Sequence, residues 1–147
     1  MTDELVYCLV QYGECEYCGQ VKTDDRWCMT CNAKHFQKLR WTSGNDMIDK
    51  FIRDIQNSAT NRHKVLEWVP YENFSEIKFI AKGGYGKVYK ARWNGGFIHY
   101  FNNKTQQWRR NGDMDVVLKS LYGSKNITNE FLEESSNEVT LCTWQYD

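Results

Sequence analysis

The sequence predicts an α+β protein in three parts: a small four-cysteine segment over residues 1–42, a helical linker over 43–65, and an antiparallel sheet followed by one helix over 66–147. Three observations carry that expectation. Two Cys-x-x-Cys pairs, Cys15 with Cys18 and Cys28 with Cys31, stand close together near the amino terminus. Met47, Ile48, Phe51, Ile52 and Ile55 recur at helical spacing. From Phe74 onward, β-branched and aromatic residues alternate with charged ones between glycine and asparagine turns, as half-buried strands require.

In the first segment, each Cys-x-x-Cys pair can turn two thiolates toward one point, so the four sulfurs can enclose a single tetrahedral cation. The spacing points to structural Zn2+ held by Cys15, Cys18, Cys28 and Cys31, with Gly13 and Gly19 supplying the turns. About 30 residues bury too little surface to fold alone, which gives the metal a stabilising role. Four thiolates close the coordination sphere and leave no position for a reactive water. His35 is then expected on the surface, and Cys8 and Cys142 as ordinary small apolar residues. Residues 34–41 mix basic and aromatic side chains, a pattern that single-strand RNA binders use. The competing reading is an amphipathic helix burying Phe36, Leu39 and Trp41; the nearby acids Glu14, Glu16, Asp24 and Asp25 favour it.

The linker helix is expected to start at Ser43-Gly44-Asn45 and to fade in the polar stretch after Asn57. Its stripe from Met47 to Ile55 needs a surface to pack on, either within the chain or on another protein. Leu66-Glu67-Trp68-Val69-Pro70 opens the last part, with the single proline marking a kink before the first strand.

Gly83, Gly84 and Gly86 fall between Phe79-Ile80 and the alternating Val88-Tyr89-Lys90-Ala91, at the turn of two strands. Without Cβ atoms they let backbone N–H groups come close to phosphate oxygens. Lys119 closes the apolar run Val116-Val117-Leu118 and presents an ammonium at the end of a strand. Between them, Asn94-Gly95-Gly96 and Asn102-Asn103-Lys104 flank Phe97 to Phe101, and Gln106 to Arg109 can pair back, an excursion longer than a hairpin needs.

That order of features resembles the amino-terminal lobe of a eukaryotic protein kinase. The family's G-x-G-x-x-G-x-V loop is matched by Ala81, Gly83, Gly86 and Val88, with alanine in the first glycine's place, and its V-A-I-K strand by Val116-Val117-Leu118-Lys119. The resemblance implies ATP, weakly held, as ligand. Ile80, Ala81, Gly83, Gly84 and Gly86 would lie along the phosphates and base, Val88 and Val117 would face the adenine, and Lys119 would bridge the phosphates. It also implies a helix whose glutamate holds that lysine. Within residues 129–141 both Glu134 and Glu138 fit, four residues apart on one face, with Glu138 favoured by the apolar residues after it. The fuller layout, from the four cysteines through Leu-Glu-Trp-Val-Pro-Tyr to Lys-Gly-Gly-Tyr-Gly, looks like the expanded kinase-like set of arbuscular mycorrhizal fungi.

The family's catalytic-loop Asp and Asn and its D-F-G Asp have no counterpart in this sequence, so a truncated or pseudokinase lobe that binds without transferring phosphate is the expectation. An interaction module using the lobe's exposed edge, or a single-strand RNA binder, stands beside it. With 19 basic and 19 acidic residues the formal charge is zero, so no overall attraction to nucleic acid or membrane is implied. The longest apolar run of note, Val6 to Val10, is far short of the roughly 20 residues a spanning helix needs. An intracellular, cytoplasmic protein is expected. Six Trp and nine Tyr predict several small aromatic clusters in place of one aliphatic core.

Overall fold

The computed structural model describes residues 3–84 and 86–121. They form three helices, α1 (Asp3–Tyr12), α2 (Met29–Gln37) and α3 (Asp46–Ser58), and five strands, β1 (Phe74–Gly83), β2 (Gly86–Trp93), β3 (Ile98–Asn102), β4 (Gln107–Arg110) and β5 (Met114–Leu121). All pairing is antiparallel: one sheet in the order β1-β2-β5 and a separate two-stranded sheet of β3 and β4. The residues 129–141 expected to form the glutamate helix, with Glu134 and Glu138, lie outside the described residues, as do Tyr85 and Cys142.

The linker helix starts where its cap predicts. Asn45 is extended at φ −129°, ψ 116°, and its side-chain oxygen accepts from the Met47 and Ile48 N–H groups, satisfying two donors that the first turn leaves open. Ile48 and Ile52 are buried with Leu66, while Trp41, Phe51, Ile55 and Trp68 pack around them. The stripe is thus partnered within the chain, and the carboxamide of buried Gln56 donates to Leu66 O at 2.9 Å to seal its far end.

Asp49 fixes the chain entering α3. Burial alone would raise its carboxyl, but hydrogen bonds from the Ser43 and Thr42 hydroxyls and the Ser43 N–H, together with the Arg53 charge, outweigh it and leave the group below its ordinary value. A depressed carboxyl stabilises the fold above its unfolded-state value, about 3.9, and that contribution is lost as pH falls through the lower folded value. Asp49→Asn is therefore expected to lower the denaturant midpoint at neutral pH, with the gap to wild type closing in acid. Parallel urea titrations across pH measure it; a gap that does not change with pH contradicts it.

Three aromatic-rich clusters take the place of one core. The three-stranded sheet buries Ala91, Trp93, Val116 and Leu118 of β2 and β5 against Val69 and Phe74. The third cluster is not local: Trp27, Phe36, Ala59 and Ile98 come from four separate stretches of chain, with Val65 and Trp108 against them. The expected excursion between the second and third long strands is thus the β3–β4 hairpin, and it docks on the cysteine segment instead of extending the sheet. Its neck is narrow. Gly112 N donates to Gly95 O at 3.0 Å, and at Gly96, where φ is +66°, a Cβ would meet Gly112 O at 2.2 Å. Only glycine fits there. Arg110 locks the base of the hairpin through a two-pronged pair to Glu67, at 2.7 and 3.2 Å.

Asp3–Tyr12 folds as a helix with Leu5, Val6, Tyr7, Leu9 and Val10 all exposed. One departure from the sequence-based expectation, a surface position for His35, is physical. His35 is half-buried, its ring stacked on Phe101 at 3.5 Å between centroids. No helix among the described residues is long and apolar enough to cross a membrane.

Candidate metal centre and nucleotide-facing row

The two cysteine pairs are positioned by different devices. Cys15 and Cys18 belong to a tight turn: Cys15 N donates to Gln20 O at 2.7 Å and Gly19 N to Cys15 O at 2.8 Å, with Gly19 at φ 75°. Flanking it, Glu14 bridges to Val21 in antiparallel fashion. Cys28 and Cys31 instead open α2. Cys28 is the helix N-cap, extended at φ −107°, and its sulfur accepts from the Cys31 N–H at 3.5 Å. Thiolates gain there from the positive end of the helix dipole.

Folding brings the four sulfurs within 4.8 Å of one another. Cys15 Sγ lies 3.8 Å from Cys31 Sγ, and Cys18 Sγ 3.5 Å from Cys28 Sγ. A tetrahedron of metal–sulfur bonds about 2.3 Å long sets sulfurs about 3.8 Å apart. The cage therefore matches one metal ion in size and donor type. Its electrostatics also call for a cation. Hydrogen bonding from the Gln20 N–H is the first cause that holds Cys18 below its ordinary value, whereas burial first, then the neighbouring sulfurs, push the Cys31 thiol far up. Burial likewise raises Cys28. Four thiolates cannot share this space without a positive charge among them.

The residues expected at the nucleotide are set by strand register. Directly opposed residues of an antiparallel pair share a face. Ala81 opposes Val88, and Val88 opposes Lys119, so these three form one row across β1, β2 and β5 beside the glycine turn. Val117, 54 % exposed, is on the same face one step inward, opposite Lys90. The buried Leu118 and Val116 point to the other side. Two more pairs of charges lie on this face: Lys90 with Asp115 at 3.8 Å, and Arg92 with Asp113 and Asp115 at 3.9 and 3.7 Å.

Ile80 is the member of the expected set that the register leaves out of the row. It falls within the register shift between Phe79 and Ala81, a bulge that leaves it unpaired, and it is 54 % exposed. Gly83 and Gly84 are exposed, and a Cβ on either would meet nothing within 4 Å, so packing does not demand glycine at those two positions. Gly86 begins β2 and pairs with Gly83 and Leu121. A depression of about 250 Å³ lies on the packed side, between Trp68, Tyr71, Ile77, Tyr89 and Leu118, and reaches Lys119 at the β5 edge. It is smaller than the roughly 300 Å³ at which small-molecule sites begin, and Ala81, Val88 and Val117 do not line it, whereas Lys119 does.

Compared with family models, curated proteins and solved structures, the chain finds no match.

Proposed function

We propose that this chain is an ATP-binding lobe of protein-kinase type, steadied by a structural zinc module. The observation that supports it is the row Ala81, Val88, Lys119 beside the glycine turn, with Val117 on the same face. Val88 and Val117 offer the apolar surface a base needs, Lys119 the cation for the phosphates, and Gly83 and Gly84 a backbone that phosphate oxygens can approach. Zinc fits the cage because four thiolates in a closed tetrahedron suit a structural site.

The test is a calorimetric titration with ATP. Binding is expected to be weak, and Lys119→Ala to weaken it about tenfold or more, the effect of losing one charge-assisted contact to phosphate. Equal affinities for wild type and variant refute the assignment. A second reading, a protein-interaction module, draws on α1, whose Leu5, Val6, Tyr7, Leu9 and Val10 are all exposed on a ten-residue helix. Val6→Glu with Val10→Glu would abolish association through α1 and leave ATP binding untouched.

A further inference from the structure

The β3–β4 hairpin turns one side to the cysteine module, and its outer side gathers positive charge from three distant parts of the chain. The inner side is apolar: Phe101 and Trp108 oppose one another and stack on His35 and Phe36 of α2. A register shift between Ile98 and Tyr100 changes the alternation, so Ile98 enters the buried cluster while the rings of His99 and Tyr100 lie together, 5.6 Å between centroids. Arg109 stands directly across from Tyr100. From the cysteine module, Arg26 lays its guanidinium over the Tyr100 ring at 4.9 Å. From the other side, the short turn Arg62–Lys64 packs against β3, with Arg62 Nε donating to His63 Nε2 at 3.4 Å.

The charges here are not answered as they are elsewhere. Arg92 and Arg110 find carboxylates, whereas Arg26, Arg62 and Arg109 make no ion pair among the described residues. His99 reflects this field. Burial first, then Arg62, Arg26 and His63, hold it below its ordinary value, and Asp25 is the acid acting the other way. Arg26 also sits in the left-handed region at φ 53°, where a side chain of its kind is uncommon. In a chain of zero formal charge, three arginines converging around two half-buried rings is a local feature, not a consequence of general basicity.

We propose that this outer face of the hairpin binds single-stranded nucleic acid, with Arg26, Arg62 and Arg109 contacting phosphates and Tyr100 with His99 offering a ring face to a base. It lies on a different sheet from the row at Lys119 and does not depend on the nucleotide reading. Bases stack on aromatic and guanidinium planes and tolerate any sequence, and each stacked base is worth about 1–3 kcal/mol. An acidic peptide would use the arginines but leave the rings idle. A duplex would keep its bases out of reach of both rings.

Fluorescence anisotropy with a labelled oligouridine of about 12 nucleotides tests the proposal. Binding is expected with a log–log salt slope of about −2, the value for three single-strand phosphates. Arg62→Ala with Arg109→Ala should weaken it about tenfold or more and flatten the slope, while circular dichroism and ATP titration stay as in wild type. Tyr100→Leu should weaken binding and leave the slope alone. Lys34→Ala with Lys38→Ala removes the same charge from exposed positions in α2 and at its C-cap and should change nothing. The proposal is overturned if wild type fails to bind at about 50 mM salt, if the lysine pair matters as much as the arginine pair, or if polyglutamate of equal charge competes as well as the oligonucleotide.

Discussion

Removing the metal from the four-cysteine centre, by a chelator or by Cys28→Ser, is expected to unfold the amino-terminal module and release the β3–β4 hairpin docked on it. Structural zinc supplies about 10–16 kcal/mol of apparent binding energy at neutral pH, as much as the whole stability of an ordinary domain. Cys28 has a double role, since its sulfur is both a ligand candidate and the cap of α2. The readout is intrinsic fluorescence, because Trp27 and Trp108 leave an aromatic cluster for water, together with loss of helical ellipticity. Cys8→Ser, a buried thiol of α1 outside the cage, serves as the comparison. The direction with pH separates loaded from stripped protein. Metal holds the ligands as thiolates, depressing their proton affinity, so stability is present at neutral pH and lost on acidification. In the stripped protein Cys28 and Cys31 are raised above the ordinary thiol value, so stability is full below that value and lost as pH rises through the folded one. Opposite trends are expected in acid and alkali. A chelated protein with unchanged emission and melting refutes the role given to the metal.

What could be read from the sequence is what depends on near neighbours. The cage follows from two i, i+3 cysteine pairs, and α3 from a 3.6-residue stripe behind an asparagine cap; neither needs knowledge of distant partners. The glycine turn likewise points to the β1–β2 hairpin, and the apolar run Val116-Val117-Leu118 before Lys119 to β5, whereas a common face for Val88, Val117 and Lys119 is implied by the kinase resemblance alone. The rest is nonlocal. Nothing near Trp27 in the sequence announces Ile98 or Trp108, so the docking of the excursion, and the meeting of Arg26 with Tyr100, had no signal. Bulges defeat period-two reasoning outright: one takes Ile80 out of the paired row, and another brings His99 and Tyr100 together. His35 was expected outside because four thiols already satisfied a metal, an argument that ignores what Phe101 would bring to the other side of its ring.

Trp27→Ala is expected to be the most damaging single change outside the cage. The side chain is 1 % exposed, its ring lies 6.4 Å from Phe36 and 6.1 Å from Trp108, and its Nε1–H donates to Ala59 O at 2.8 Å. Truncating a buried tryptophan costs about 3–5 kcal/mol, since the cavity removes both apolar burial and the contacts of the surrounding rings. Here the cavity would open where the cysteine module, the end of α3 and the β3–β4 hairpin meet, so no single element can collapse to fill it. For a chain of this size the melting temperature should fall by about 10–15 °C. Trp27→Phe keeps most of the ring and loses the hydrogen bond to Ala59, for which about 1 kcal/mol is expected. The three-stranded sheet rests on its own cluster of Val69, Phe74, Ala91, Trp93, Val116 and Leu118. ATP affinity measured well below the melting temperature should therefore survive Trp27→Ala, while hydrogen exchange quickens in α2 and β3. Equal slowing or quickening across both sheets would mean that the clusters unfold as one unit, and a wild-type melting curve would mean that Trp27 does not join the modules.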